Sequence, residues 1–141
     1  MHFCLVDAVV ERSEDRIVTV KQVSAAEEYL QDHFPGFPVL PGVLMLEAMV
    51  QAARLLGERT APAGPPLVLG GVRAVKYGRF VQPGDSLRIE VSLLKKLEDG
   101  SYEFRGEGTV INPCGTELTP VNGAGSAVSG RFTLRPARVE P

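Results

Sequence analysis

The sequence is poor in the features that mark specialised classes of protein. It contains only 2 cysteines among 141 residues, and Cys4 and Cys114 have neither the spacing of a metal or redox motif nor the number that a disulfide framework needs. Its longest uncharged stretches are all shorter than the roughly 18 residues that span a bilayer. We therefore expect a compact domain that does not insert into a membrane and does not depend on disulfides.

The sequence also lacks an excess of charge of either sign. Its 15 basic residues nearly balance its 17 acidic residues, which gives a net charge of -2. Such a chain has no overall field that would attract nucleic acid or an anionic membrane. Because residues 1–4 lead directly into the strand-like segment Leu5–Val10, we expect no basic and apolar leader. We expect a single cytoplasmic domain over residues 1–141, in which any anionic partner must bind a local patch.

One segment has the pattern of a long helix that is apolar on nearly all sides. It begins after Pro41, a residue favoured at helix starts, and runs from Gly42 to Leu56. Gly57 follows, at the position where glycine commonly ends a helix. A helix with so little polar surface is typical of one that is buried on most sides. Before it, the prolines between Pro35 and Pro41 predict an extended loop.

The remaining segments have strand patterns. An apolar segment at 5–10 and a β-branched one at 17–23 predict a hairpin, and further strands are predicted at 67–80 and 86–97. Asp99-Gly100 predicts a tight turn into a returning strand with Tyr102, Phe104 and Val110. Phe132 and Leu134 belong to a last strand, and residues 112–130 are either a long loop or a broken hairpin. The sum is an α+β fold of five or six antiparallel strands around one helix.

Glu47 is the polar residue that stands out in the middle of this helix. Removing a carboxylate from water favours its protonated form, so Glu47 becomes a candidate general acid. Gln51 lies one turn later on the same face and can hydrogen-bond Glu47 to fix its side chain. The alternative is a purely structural carboxylate, satisfied by backbone donors or by Arg54.

His33 lies in the proline loop that leads into the helix. Imidazole is a base near neutral pH, and a rigid loop can aim it, although a lone loop histidine is more often an ordinary surface residue. Gly42, at the helix N-terminus, can offer a backbone N–H to a carbonyl oxygen. A base, an acid and an oxyanion donor together suit the loss of water from a 3-hydroxyacyl thioester.

The run His33 to Gln51, HFPGFPVLPGVLMLEAMVQ, resembles the HFPGxPxxPGVLxxEAxxQ motif of the β-hydroxyacyl-[acyl carrier protein] dehydratases of type II fatty acid synthesis. Weaker matches are Leu5-Val6-Asp7 and the segment 71–85, which ends in Pro83-Gly84-Asp85. The resemblance implies a hot-dog fold, in which an antiparallel sheet wraps around one long central helix. It also implies a homodimer or a dimer-based higher oligomer, formed by edge pairing of strands, with active sites at the interface and no metal or organic cofactor.

The resemblance further implies a role for each matched residue. His33 takes the C2 proton of the substrate, Glu47 of the other subunit protonates the departing 3-hydroxyl, and the Gly42 N–H holds the thioester carbonyl. The implied partner is an acidic acyl carrier protein with a phosphopantetheine-linked acyl chain. Arg73, Lys76 and Arg79 are spaced to provide a basic patch for it, unless they are only the solvated face of a strand.

Two other functions remain open from the sequence. One is a hot-dog subunit that binds acyl thioesters without dehydrating them. The other is a hot-dog thioesterase, whose chemistry would not require this spacing of histidine and glutamate.

Overall fold

Seven strands and one long helix form the part of the chain that the computed structural model describes, which comprises residues 4–30, 36–60, 65–115, 117–118 and 126–137. The helix α1 spans Gly42–Thr60. A short 3-10 helix at Glu28–Leu30 precedes it. The strands are β1 (Ala8–Arg12), β2 (Arg16–Gln22), β3 (Leu67–Tyr77), β4 (Ser86–Lys96), β5 (Tyr102–Ile111), β6 (Glu117–Leu118) and β7 (Val128–Pro136).

All strand pairs are antiparallel and belong to a single sheet. The order across the sheet is β1-β2-β4-β5-β7-β3, and the two-residue strand β6 pairs with the end of β5. Strands β1 and β3 therefore lie at opposite edges of the sheet. Strand β3 is the element that follows α1 in the chain. The predicted antiparallel sheet around one central helix is confirmed.

The sheet packs one face against α1. Along β4, the buried residues Leu87, Ile89 and Val91 alternate with partly exposed ones, as expected for a strand with one face in the core. The Phe104 and Phe132 rings stack with centroids 5.6 Å apart. Full burial of one such side chain contributes about 1.5–3 kcal/mol, so this inner face carries much of the stability.

The predicted end of the helix at Gly57 is wrong. The helix continues through Gly57 to Thr60. A Cβ atom at Gly57 would lie 2.6 Å from Cδ1 of Leu67, the first residue of β3. This glycine therefore allows close packing between the helix and β3 instead of ending the helix.

The predicted turn at Asp99-Gly100 is confirmed. Gly100 has a φ of 87°, which favours glycine, and the Leu97 N–H donates to the Ser101 carbonyl over 2.8 Å. The ambiguous segment 112–130 contains a turn at Asn112–Gly115, the short β6 and the start of β7, and its other residues lie outside the described ranges. The described part of the chain thus has seven strands, whereas five or six were predicted. The single domain over 1–141 remains a prediction.

Within the described ranges, no helix has the length and apolarity required to cross a membrane.

Candidate active site

A stripe of three polar side chains runs along one face of α1. Glu47, Gln51 and Arg54 are separated by four and three residues, which places them on the same side of a helix. Val43, one turn before Glu47, lies on this face too and is exposed. The opposite face is buried against the sheet, with Ala48, Met49, Ala52, Ala53 and Leu56 in the core.

The predicted contact between Gln51 and Glu47 is present. Gln51 Nε2 donates to Glu47 Oε1 over 3.2 Å. The backbone N–H of Leu5, in the segment before β1, donates to Gln51 Oε1 over 2.8 Å. Because this bond occupies the amide oxygen, it turns the NH₂ group towards Glu47. The Leu5 contact was not predicted, because it joins residues 46 positions apart in the chain.

Arg54 approaches the same oxygen of Glu47. Its Nη1 lies 3.9 Å from Glu47 Oε1, while its Nε donates to the Leu67 carbonyl over 3.0 Å. Arg54 was predicted only as a partner of Glu47 in the structural alternative. Within the described residues, no donor contacts the other carboxylate oxygen, Oε2.

Glu47 is less buried than the pattern of the helix predicted. The side chains of Glu47 and Arg54 are 38% and 36% exposed. The pattern predicted burial on most sides, but the face with Val43, Glu47, Gln51 and Arg54 is partly open in the part of the chain that the structure describes. We expect the desolvation on which the general-acid prediction depends to come from a substrate or a second subunit over this face.

A cavity of about 440 Å³ lies beside the N-terminus of α1. Its walls come from the segment before the helix, the first turn of the helix and the end of β3: Val39, Leu40, Gly42, Val43, Met45, Tyr77, Gly78, Arg79 and Phe80. The N–H groups of Leu44 and Met45 donate to the Pro41 carbonyl. The N–H of Gly42 has no acceptor among the described residues, as is usual for the first residue of a helix.

Aromatic side chains surround this cavity. The Tyr77 ring lies so close to Gly42 that a Cβ atom there would be 2.9 Å from Tyr77 Cε1. Phe37 and Phe80 pack edge to face with centroids 5.8 Å apart, and both are exposed. None of these three aromatic residues was predicted to belong to the site. Their spacing gave no indication that the loop before α1 and the end of β3 meet.

His33 lies outside the described residues, so its position relative to Glu47 remains a prediction. The described part of the proline loop has no regular structure, as predicted. Gly36 has a φ of 80°, and the Leu40 N–H donates to the Val81 carbonyl over 2.8 Å. These features lead the chain from the loop into α1.

A partly buried ionic cluster precedes the His33 segment in the chain. Lys21 Nζ lies 2.6 Å from Glu27 Oε1, and the Ser24 N–H donates to Glu27 Oε2 over 2.9 Å. Burial alone would raise the pKa of Glu27, but hydrogen bonds from Lys21, Ser24 and Tyr29 outweigh it, so the pKa is lowered. Burial and the neighbouring Glu27 raise the pKa of Tyr29. This cluster joins β2 to the 3-10 helix that leads towards residue 33.

The three predicted patch residues have different surroundings. Arg73, 74% exposed, forms a 3.0 Å ion pair with Glu103. The pairing of β3 with β7 is interrupted by a bulge between Arg73 and Lys76, where Ala74 has a φ of 53°. Arg73 pairs with Arg131 and Lys76 with Ser129, two residues of β7 that lie on the same face of the sheet. Arg79 follows the end of β3 and lines the cavity. Their role in binding a carrier protein remains a prediction.

No group of three or more histidine, cysteine or acidic side chains is placed to hold a metal ion in the part of the chain that the structure describes.

A family model described as ApeI dehydratase, of the ApeI-like family, matches residues 9–112. A curated 3-hydroxyacyl-[acyl-carrier-protein] dehydratase FabZ from Desulforamulus reducens is 44% identical over 95 residues, which cover 66% of this chain and 67% of that protein. The protein of the same name from Coxiella burnetii is 36% identical over 128 residues. This match covers 86% of this chain and 89% of that protein.

Among solved structures, the dehydratase heterocomplex ApeI:P from Xenorhabdus doucetiae superposes with a TM-score of 0.63. The match covers 92% of this chain and 96% of that one, at 18% sequence identity. At this identity, the similarity shows a shared fold.

Proposed function

This chain belongs to the ApeI-like dehydratase family and has the hot-dog fold, and from this we propose that it dehydrates 3-hydroxyacyl-[acyl carrier protein] to trans-2-enoyl-[acyl carrier protein] in fatty acid or related lipid synthesis. The observation that carries the proposal is the placement of Glu47. Its carboxylate is held through Oε1 on an uncovered helix face, one turn from Val43 in the cavity wall. The names of the curated relatives support the choice of substrate.

In the proposed reaction, His33 removes the C2 proton and Glu47 protonates the 3-hydroxyl. The electron pair of the C2–H bond forms the C2–C3 double bond, and the C3–O bond breaks to release water. The imidazolium and the carboxylate that remain return to their starting states by proton exchange with solvent. The two groups work as a base and an acid positioned on opposite sides of one substrate.

Gly42 provides the third element of the proposed site. Negative charge develops on the thioester oxygen as the C2 proton leaves. A backbone N–H at a helix N-terminus, supported by the positive end of the helix dipole, stabilises such charge. The cavity beside Gly42 has the size of ordinary ligand pockets, and its apolar walls suit the part of the acyl thioester next to the carbonyl.

We expect the site to be shared between two copies of the chain. β3 is an edge strand of 11 residues with exposed Leu69, Val72 and Tyr77. An unpaired edge of this length is a template for pairing with another strand. Pairing of β3 with its copy brings a second subunit next to the cavity and the uncovered face of α1, and this subunit then contributes His33 to the Glu47 of its partner.

Arg79 is the best placed of the three basic residues to meet the carrier protein, because it lines the cavity that the substrate would enter. An acidic carrier would then bring its acyl chain to the same opening. Arg73, by contrast, is partly neutralised by Glu103.

The test uses the reverse reaction, in which hydration of an enoyl thioester removes the absorbance of the conjugated double bond. Purified protein is assayed with enoyl chains of several lengths, on carrier protein and on coenzyme A. We expect activity that falls by at least about a hundredfold in His33→Ala and in Glu47→Gln, because general acid and base catalysis each contribute about 10²–10⁴-fold.

Arg12→Glu, on the opposite edge of the sheet, is the control for purification and folding. Inactivity of the wild type on every thioester would contradict the proposal and favour a binding subunit. Release of free thiol without loss of the double bond would instead identify a thioesterase.

A further inference from the structure

Among the described residues, the two groups that approach the Glu47 carboxylate lie near the same oxygen. Gln51 Nε2 lies 3.2 Å and Arg54 Nη1 lies 3.9 Å from Oε1. Both donors are themselves held, Gln51 by the Leu5 N–H and Arg54 by the Leu67 carbonyl. Within the described ranges, the carboxylate is therefore supported at Oε1.

We propose that Arg54 is a positioning residue, which together with Gln51 holds Glu47 Oε1 and so directs Oε2 towards the substrate. This inference rests on the proposed dehydratase function, because it specifies which oxygen of the acid delivers the proton. An oxygen that accepts a bond from an amide and lies 3.9 Å from a guanidinium is a poor site for a proton, since the proton would face a donor and a positive charge. The proton is then carried by Oε2, which accepts no hydrogen bond from the described residues.

The geometry of Arg54 suits this role. The guanidinium is planar and rigid, so a bond from Nε to the Leu67 carbonyl fixes the direction in which Nη1 points. Leu67 is the first residue of β3, and its side chain packs close to Gly57 on α1. The orientation of Arg54, and through it that of Glu47, is thus set by the packing of the helix against the start of β3.

A role in stability alone would not require this arrangement. Both side chains are about one third exposed, and ion pairs with this much exposure contribute little to folding. The same contact has a larger effect on a catalytic group, because small errors in the position of a reacting atom lower the rate strongly.

The test compares Arg54→Met and Arg54→Lys with the wild type in steady-state hydration of an enoyl thioester. We expect Arg54→Met to lower kcat by about tenfold or more while KM changes less than about twofold, because the proton donor is misaligned but the substrate contacts remain. Arg54→Lys keeps the charge without the tether to Leu67, and we expect it to recover part of the lost kcat.

Arg16→Gln is the matched control. Arg16 also pairs with carboxylates, Glu11 and Glu90, each at 2.8 Å, but it lies on β2 outside the proposed site. We expect this variant to keep kcat. A kcat of Arg54→Met equal to that of the wild type would overturn the inference. A loss of kcat in both Arg54→Met and Arg16→Gln that parallels the fall in their thermal midpoints would overturn it too, because the cause would then be stability.

A crystal structure of Arg54→Met gives a readout that does not depend on activity. We expect the Glu47 carboxylate to rotate, so that Oε1 no longer accepts from Gln51 as it does in the wild type. An unchanged carboxylate would contradict the inference. An inactive wild type would contradict the proposed function, and the crystal structure would still decide whether Arg54 holds Glu47.

Discussion

The two edges of the sheet are built differently. β1 has five residues, a register shift between Val9 and Glu11, and an ion pair from Glu11 to Arg16. β3 has 11 residues, and its exposed side chains include Leu69, Val72 and Tyr77. Its register shifts leave a regular segment, 71–73, between them.

The difference indicates which edge is protected and which is available for pairing. Short length, bulges and charges are devices that protect an edge strand from association with another strand. β1 has all three. β3 has the longer edge among the described strands and lies next to the cavity and the face of α1 with Glu47, so this edge and the proposed site occur on the same side of the molecule.

The largest expected effect on assembly and activity comes from a charge placed on the edge strand β3. Val72→Asp puts a carboxylate in the middle of the regular segment of β3, and in a symmetric pair two such charges would approach each other without partners. Unpaired charges in an interface are strongly destabilising, so we expect a monomer in light scattering and loss of hydration activity.

Val10→Asp is the matched control on β1. Val10 is 56% exposed and Val72 is 45% exposed, so the two substitutions are similar in a single chain. We expect Val10→Asp to keep both the dimer and the activity. Equal behaviour of the two variants would remove the distinction between the edges.

A smaller effect is expected where β3 ends against the helix. Gly42→Ala places a Cβ atom 2.9 Å from Tyr77 Cε1, so the ring or the helix N-terminus must move. We expect kcat/KM to fall by about tenfold, because the N–H proposed to bind the thioester oxygen is displaced.

Removal of the Tyr77 ring tests whether its contact with the added methyl group causes the loss of activity. The double variant Gly42→Ala with Tyr77→Leu leaves space for the added methyl group, and we expect it to recover part of the activity. A double variant no better than Gly42→Ala alone would show that the ring contact is not the reason for the loss.

Charge reversal at the two edges tests the carrier-protein surface. Arg79→Glu, at the cavity, is expected to raise KM severalfold for a carrier-protein substrate and to change it little for the coenzyme A thioester. Loss of one charged contact with a partner acts mainly on association. Arg12→Glu on β1 is the control, and equal effects of Arg79→Glu on both substrates would argue against a carrier-protein contact.

The smallest effect concerns the ion pairs near β1. A hydrogen bond from Arg16 lowers the pKa of Glu90. Burial opposes this shift, and Arg88 adds to it. A carboxylate with a lowered pKa in the folded state stabilises the protein above its unfolded value of about 4.3, and this contribution is lost as the pH falls through the folded value.

We therefore expect wild type to exceed Glu90→Gln in free energy of unfolding by less than about 1 kcal/mol at pH 7, since the pair is partly exposed. Urea denaturation between pH 7 and pH 3 measures the difference, which should decrease below about pH 4.3. A difference that is constant over this range would show that Glu90 is not stabilised in its ionised form.

Local features of the fold could be predicted from the sequence. The strand segments, the Asp99-Gly100 turn and the contact of Gln51 with Glu47 each depend on residues close together in the chain, and all three are present. The motif from His33 to Gln51 was sufficient to indicate the family. The fold class followed from the single apolar helix among strands.

Features that depend on distant contacts could not be predicted. Gly57 has the position of a helix terminator, but its role is to accommodate Leu67. Leu5 and Leu67 reach the polar stripe of α1 only through the order of strands in the sheet, which the sequence does not reveal. The exposure of Glu47 depends on what covers the helix, and a helix pattern cannot distinguish cover by the same chain from cover by a second copy.

The central claim is that one active site is formed by two copies of the chain, and mixing two inactive variants tests it most directly. His33→Ala and Glu47→Gln are combined under conditions in which subunits exchange. We predict recovery of about a quarter of the wild-type activity, because half of the dimers are hybrids and each hybrid has one intact site of two. Activity that stays at the sum of the separate variants, although exchange is demonstrated with tagged subunits, would contradict the shared site.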